Sequence, residues 1–383
     1  MADAPRFPFP CEAGEGAEGG WGQSWQETRK LLQGSLDQGR RRIGRQANAF
    51  SSKRRCRDRR NRYTAVMRKV YRDVAGPCLT PDGSVVCIGA FDGVHRGHRE
   101  VLNRVRARAA ELRSTPVAVT FAPIPRIYFG QDVPLLSTVR EKVAALLDAG
   151  MQRVLLLRFN ADLAAMSAED FIQRVLVDRL AAREVWVGEG FHFGHDRLGD
   201  LAMLQRIGAE DWMSADVVLP YKLDDERVSS SRIRAALAAG DLATAERMLG
   251  RHFSMGGRVV HGEQIGRKLG CPTANLRLGT RIAPLGGIFA ARIRGIGDQA
   301  RPGVASLGVR PTINGTEPLL EAHLFDFDGD LYGKRIEVEF VKKIRNEEKF
   351  PDLAAMAQQI SRDVSAARII LGIAERARVG VKL

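Results

Sequence analysis

Residues 84–105 constrain the fold more than any other part of the chain. An apolar run, Ser84-Val85-Val86-Cys87-Ile88-Gly89, breaks into a glycine-rich turn and then into the helix-like segment Arg99-Glu100-Val101-Leu102-Asn103-Arg104-Val105. The run lacks the alternation of a half-exposed strand, so both of its faces need cover. The pattern then repeats. Val117-Ala118-Val119-Thr120-Phe121 reads as a strand, 139–149 as a helix, Val154-Leu155-Leu156-Leu157 as a strand, 168–180 as a helix and Glu184-Val185-Trp186-Val187 as a strand. Continuous apolar strands separated by amphipathic helices predict an α/β doubly wound domain on a parallel sheet.

The texture changes after a helical segment at 242–249. From about 253 to 345 short strands are punctuated by glycine, as in Gly256-Gly257-Arg258-Val259-Val260, Gly287-Ile288-Phe289-Ala290-Ala291 and Ile336-Glu337-Val338-Glu339-Phe340. Such spacing predicts a small antiparallel barrel, with an amphipathic helix at about 353–371 packed against it. A length of 383 residues independently favours more than one core.

No run approaches the ~18 apolar residues of a membrane-spanning helix, so no membrane partner is expected. The five cysteines, Cys11, Cys56, Cys78, Cys87 and Cys271, form no CxxC pair, and no secretory signal opens the chain; a reduced, cytoplasmic protein is expected. The net charge of +14 is uneven, because residues 1–66 hold 14 Lys and Arg against 7 Asp and Glu. That basic stretch shows no persistent periodicity. It reads as a disordered tail, as sequence upstream of a start at Met67, or as an RNA-binding or targeting arm.

The turn itself carries chemistry. Gly89-Ala90-Phe91-Asp92-Gly93-Val94-His95-Arg96-Gly97-His98 leaves a strand and opens a helix, where unpaired N–H groups and the helix dipole favour phosphate. His95 and His98 can donate to ATP oxygens as charge develops at the α-phosphorus. This segment resembles the HxGH nucleotidyltransferase superfamily. Thr120-Phe121-Ala122-Pro123-Ile124-Pro125-Arg126, Phe159-Asn160, Ser167-Ala168-Glu169-Asp170-Phe171, Val187-Gly188-Glu189-Gly190-Phe191-His192-Phe193-Gly194 and Ser229-Ser230-Ser231-Arg232-Ile233-Arg234 narrow the resemblance to bacterial bifunctional riboflavin kinase/FAD synthetases. It implies a Rossmann-like adenylylating domain at 67–240, with ATP phosphates bound by Gly89, Phe91, Asp92, Gly93 and Gly97. Ser231 and Arg234 would hold the leaving phosphates, and Asn160 would contact FMN. Ile124 departs from the family pattern, which has histidine there in many relatives; Ser231 stands where the family has threonine.

In the barrel, Gly262, Gly266 and Gly270 permit a loop that approaches a nucleotide closely. It leads into Cys271-Pro272-Thr273-Ala274-Asn275-Leu276. Thr273 and Asn275 are suited to hold Mg²⁺ through hard oxygens. The same resemblance, through this PTAN motif and Leu319-Leu320-Glu321-Ala322-His323-Leu324-Phe325, implies a Greek-key riboflavin kinase barrel at 253–375 after a linker helix at 241–252. It implies ATP contacts at Gly266, Arg267 and Gly270, Glu321 as general base for the riboflavin 5′-hydroxyl, and Arg345 and Phe350 beside the flavin. The expected substrates and products are riboflavin, FMN, FAD and ATP, with Mg²⁺ as cofactor. No nucleic-acid partner is expected beyond non-specific contacts of the basic arm, and oligomerisation is left open. The competing readings are transfer of a nucleotide to another phosphate, a nucleic-acid-binding protein, and a chain with one working module.

Overall fold

The computed structural model describes residues 69–210, 213–262, 266, 271–279, 282–312 and 315–373, with only the backbone described at 309–312 and 315–317. The expected tail at 1–66 lies outside the described residues, as do Arg267 and Gly270. The described residues belong to one compact unit, Tyr63–Leu383.

Six parallel strands form the first sheet: β1 Val70–Tyr71, β2 Ser84–Ile88, β3 Thr115–Ala122, β4 Arg153–Arg158, β5 Ala182–Gly188 and β6 Ser214–Val218, in the order β1-β4-β3-β2-β5-β6. All five residues of β2 are buried. Val85 and Cys87 belong to one apolar cluster and Val86 and Ile88 to another, so the strand feeds a core on each face. On one side lies helix α1, Arg96–Glu111, through Leu102, Val105 and Ala109. The other side is covered by Phe171, Ile172, Val175 and Leu176. The predicted helix at 168–180 is helical there, but its second half, Ile172–Arg179, winds as a π-helix. Each fully buried side chain of this size stabilises the fold by about 1.5–3 kcal/mol. Helix α2, Val139–Asp148, follows the prediction and opens with a capping box between Thr138 and Glu141.

Both edges of the sheet escaped the sequence reading. Strand β1 has two residues and pairs with β4 at the sheet edge, too short to leave a periodic trace, so order begins before Ser84. Helix α3, Leu201–Glu210, and β6 complete the far edge.

Strands β2, β3 and β4 advance in one direction, whereas β5 lies on the other side of β2. The reversal opens a crevice at the carboxyl ends of β2 and β5, the position where open α/β sheets bind ligands. The predicted phosphate turn leaves β2 at this point.

Beyond helices α4, Ser230–Ala238, and α5, Leu242–Leu249, the chain closes a six-stranded antiparallel barrel. Its strands are β7 Ser254–Val260, β8 Ala274–Arg277, β9 Gly287–Arg294, β10 Arg301–Thr312, β11 Gly315–Leu324 and β12 Arg335–Arg345, in the order β8-β11-β10-β9-β12-β7. Strands β12-β9-β10-β11 stand in the spatial order four-one-two-three of a Greek key. Met255, Leu276, Phe289, Leu307, Leu320, Val338 and Phe340 fill the interior, and their cluster runs unbroken into Ile233 and Leu237 of α4 and Leu242 and Met248 of α5. Helix α6, Leu353–Ile370, capped by Asp352, lays Ala367 against Ala290, Val304 and Phe325. Among the described residues no helix is long and apolar enough to cross a membrane.

Candidate active sites

The turn after β2 takes positive φ at Phe91 (48°), Gly93 (81°) and Val94 (38°). Glycine adopts this region freely, but a β-branched residue there costs about 1–3 kcal/mol, so the turn must be held from outside. The Lys142 ammonium, 4% exposed, donates to the carbonyls of Ala90 (3.1 Å) and Phe121 (2.7 Å), and Thr120 Oγ1 also donates to Ala90 (3.2 Å). Ser230 Oγ donates to the Asp92 carbonyl, and the Gly93 N–H to Ser137 Oγ, both at 3.0 Å. The Asp92 carboxylate accepts from the Leu136 and Ser137 N–H groups at 3.0 Å and from Arg234 Nη2 at 2.6 Å. Arg234 Nε donates to the Pro134 carbonyl at 2.7 Å. Sequence reasoning missed Lys142, which sits on an amphipathic helix like any surface lysine until the fold buries it.

His95 caps α1, its Nδ1 accepting the His98 N–H at 3.2 Å. With Nδ1 an acceptor, a neutral ring carries its proton on Nε2 as a free donor. The two imidazoles stack, with centroids 3.6 Å apart and planes 14° from parallel. His98 Nδ1 is buried without a hydrogen-bond partner. Burial pushes His95 down to about 4; burial, then the neighbouring His95 and Lys142, hold His98 well below the usual imidazole range. A helix N-terminus with two neutral rings therefore presents donors beside the cations of Lys142 and Arg234.

This geometry has a consequence for stability. Folded His95 stays neutral down to about 4 while the unfolded residue protonates near 6.5, so the unfolded chain binds more protons in that window and stability rises with pH across it. The contribution is full above the upper value and is lost as pH falls toward the lower one, at most about 3 kcal/mol. Urea unfolding of the native chain is expected to weaken between about pH 7 and pH 4.5, and less steeply in His95→Asn, which keeps a capping acceptor and lacks the titrating ring.

The three serines before Arg232 divide their work in a way the sequence does not display. Ser229 Oγ caps α4 by accepting the Arg232 N–H (3.3 Å), Ser230 binds the turn, and Ser231 is exposed on the first helical turn. Gly89 and Gly97 supply room: a Cβ would lie 3.2 Å from the Phe91 ring at the first and 3.3 Å from the His95 ring at the second. Asn160 accepts the Leu163 N–H at 3.1 Å as a helix cap. Beside it, Phe159 meets Phe121, Tyr128 and Phe129 edge-on, with Phe129 64% exposed, an aromatic group the sequence reading did not assemble. Ile124, 6% exposed, starts the short helix Pro125–Tyr128.

The second site is a cavity of about 540 Å³ in the barrel wall, lined by Gly266, Thr273, Asn275, Glu321, Arg345 and Phe350, each expected from sequence. Glu321 stands in register with Asn275 on β8 and with Ser306 on β10. Amide, carboxylate and hydroxyl thus form one row across three hydrogen-bonded strands, at the ~4.5–5.5 Å spacing of cross-strand pairs. His323, two residues along β11, donates from Nδ1 to the Pro272 carbonyl at 2.9 Å and ties the strand to the loop before Thr273. Arg345 grips Asp363 of α6, with Nε 2.9 Å from Oδ1 and Nη2 2.7 Å from Oδ2, and its guanidinium lies 5.7 Å from the Phe350 ring centre. That fork ties α6 to the end of β12 beside the cavity, which Asp363 also lines. Ser306, His323, Glu347 and Asp363 also line the cavity; sequence reasoning missed them because strand pairing brings Ser306 and His323 there and packing of the segment beyond β12 brings Glu347 and Asp363, neither of which single-chain periodicity specifies.

The glycine loop departs from expectation in one respect. Its close neighbours at Gly262 and Gly266 are the chain itself: a Cβ would fall 2.3 Å from Asn275 Nδ2 at the first and 2.4 Å from the Cys271 carbonyl at the second. Gly262→Ala is therefore expected to displace the Asn275 amide and reduce riboflavin phosphorylation at least ~10-fold, while FMN adenylylation continues; separate assays from riboflavin and from FMN check it.

Comparison with known proteins agrees with this division. The FAD synthetase family model matches residues 79–232 and the riboflavin kinase family model residues 249–371. The chain is 44% identical over 290 residues to a bifunctional riboflavin kinase/FMN adenylyltransferase of Pseudomonas fluorescens, covering 75% of this chain and 93% of that protein. It is 41% identical over 299 residues to the protein of the same name from Escherichia coli strain K12, covering 77% and 95%. A solved structure described as a macrolide-efflux protein from Streptococcus pneumoniae is similar with a TM-score of 0.66, 27% identity, and coverage of 78% of this chain and 99% of that one. A family match over each of the two modules and relatives covered over nearly their whole length lead to one conclusion: the chain belongs to the bifunctional riboflavin kinase/FMN adenylyltransferase family.

Proposed function

We propose that the chain phosphorylates riboflavin in the barrel cavity and adenylylates the resulting FMN at the His95 turn, consuming ATP in both steps. The observation that carries this reading is the row of Asn275, Glu321 and Ser306 on the cavity wall, which gives the kinase a site separate from the histidine pair. Glu321 takes the proton of the riboflavin 5′-hydroxyl as its oxygen bonds to the γ-phosphorus and ADP leaves. Thr273 and Asn275 would hold Mg²⁺ together with the ATP phosphates. They fit that ion through their hard oxygens and through the Asn275 amide, 8% exposed and held in register with a carboxylate. When bound, Mg²⁺ neutralises phosphate charge.

At the first site an FMN phosphate oxygen bonds to the α-phosphorus of ATP and the bond to the bridging oxygen breaks, releasing pyrophosphate. His95 Nε2 and His98 donate to the α-phosphate oxygens. Ser231 and Arg234 face the leaving phosphates. Asp92, whose oxygens are engaged by Arg234 and two backbone groups, serves by holding the turn. The cluster around Phe159 offers aromatic edges and faces for a flat ring, and Asn160 shapes that wall as a cap. Cys78, Cys87 and Cys271 are free thiols, which suits a reducing compartment.

The test is incubation of the full chain with riboflavin, ATP and Mg²⁺, followed by chromatography of the flavins over time. FMN appearing first and FAD second is the expected result. FMN alone would leave only the kinase standing and point to Ile124; no flavin product would end the proposal.

A further inference from the structure

We propose that Arg251, which lies among the residues matching the riboflavin kinase model, is a positioning residue for adenylylation, holding the strained turn that aims His95. The inference rests on the assignment of adenylylation to that turn. Arg251 follows Gly250, the left-handed cap of α5 at φ 75°. Its Nη2 donates to the Gly93 carbonyl at 2.6 Å and its Nη1 to the Val94 carbonyl at 3.2 Å. These are the last two carbonyls before His95.

Three of the four residues from Phe91 to Val94 have positive φ, and such a conformation persists only where its surroundings over-determine it. Side chains from elsewhere hold the carbonyls in sequence: Lys142 and Thr120 hold that of Ala90, Ser230 that of Asp92, and Arg251 those of Gly93 and Val94. Lys142, Thr120 and Ser230 fall within residues 79–232 of the FAD synthetase match, whereas Arg251 falls within 249–371. The segment that joins α5 to the first barrel strand thereby supplies the last clamp of the adenylylating module's turn. Neighbouring contacts support a close fit at this seam, since a Cβ on Gly250 would lie 3.2 Å from Arg96 Nε and one on Gly256 would lie 3.2 Å from Glu141 Oε1.

Arg251 is exposed as a residue, and its planar fork serves two adjacent carbonyls at once, which an ammonium cannot reproduce with the same rigidity. Val94 is the β-branched residue at positive φ and directly precedes the histidine, so release of its carbonyl lets the backbone relax and carries the imidazole off line. A misplacement of about 1 Å at a reacting group costs on the order of 100-fold. That loss falls on kcat, because the ring acts on the transition state and not on ground-state binding.

The experiment uses the full chain with Arg251→Met and Arg251→Lys, each assayed separately from riboflavin and from FMN. For Arg251→Met, kcat for FMN adenylylation is expected to fall ~10–100-fold, with KM for FMN and ATP within about threefold. Riboflavin phosphorylation by the same preparation should stay within about twofold, which also reports that the chain is folded. Arg251→Lys should recover part of the adenylylation kcat. Unchanged adenylylation in Arg251→Met, a loss expressed only in KM, equal loss of both activities, or no recovery in Arg251→Lys would each overturn the assignment. His98→Ala keeps the two levels apart: if it forms FAD normally, the site assignment itself fails, whereas loss of adenylylation in His98→Ala with none in Arg251→Met fails only the clamp.

Discussion

Glu321→Gln is expected to stop FMN formation from riboflavin while leaving FAD formation from added FMN unchanged. Glutamine has the shape of glutamate, so the registered row with Asn275 and Ser306 should survive; what is lost is the group that accepts a proton. A positioned general base contributes about 10²–10⁴-fold, and the loss should appear in kcat. The barrel adds to the expected size of the effect. Strand β11 is hydrogen-bonded to β8 and β10 on its two sides, so the backbone that carries position 321 is held in place whichever side chain stands there. Glu347 reaches the same cavity and its carboxylate lies over Gly308 and 3.4 Å from Ser306 Oγ, but it approaches from the segment beyond β12. The measurement is initial FMN formation from riboflavin and ATP beside FAD formation from FMN and ATP. Retention of riboflavin phosphorylation in the variant would remove Glu321 from the mechanism, and loss of both steps would show a folding defect in place of a chemical one.

The parts of this fold legible in the sequence are those written in local pattern. The continuous apolar run of β2, the period of α2 and the amphipathic pattern of α6 each depend on neighbours a few residues away, and each element lies where the pattern puts it. Strand β1 was not legible because two residues carry no period; its partner β4 stands more than eighty residues along the chain, with Val70 opposite Val154. The sites divide in the same way. The glycine turn and histidine pair occupy one segment, and so do Thr273 and Asn275, so motif reading reached them. The burial of Lys142, the grip of Asp363 on Arg345 and the row that joins Ser306 to Glu321 arise from tertiary contact. Asn160 shows the converse. Its family position suggested a ligand contact, and its side chain also makes the ordinary cap of the helix it begins.

His98→Ala is expected to abolish FAD formation from FMN by about 10²–10³-fold, the effect of deleting one aligned donor at a developing charge, while riboflavin is still converted to FMN. The magnitude follows from how little else at this site can substitute. Ile124 has no polar atom to offer and is buried at the start of its helix. His95 is committed through Nδ1 to capping α1, leaving one nitrogen for the nucleotide. Removing the His98 ring also removes the surface on which the His95 ring is stacked, so alanine perturbs both donors. Two further variants separate these effects: asparagine places its amide near the position of Nδ1 and glutamine near that of Nε2. Because His98 Nδ1 is the buried atom without a partner, His98→Asn should recover more adenylylation than His98→Gln. Both rings are held neutral, His95 down to about 4, so neither imidazole should add an inflection of its own near the ordinary value of about 6.5 to that of the FMN phosphate, which titrates near about 6. FMN accumulating without FAD in His98→Ala, with His98→Asn the better of the two replacements, is the expected outcome. His98→Gln as the better replacement would mean that the ring acts through Nε2, equal failure of all three variants would mean that it acts through stacking, and normal FAD formation in His98→Ala would move adenylylation away from the turn.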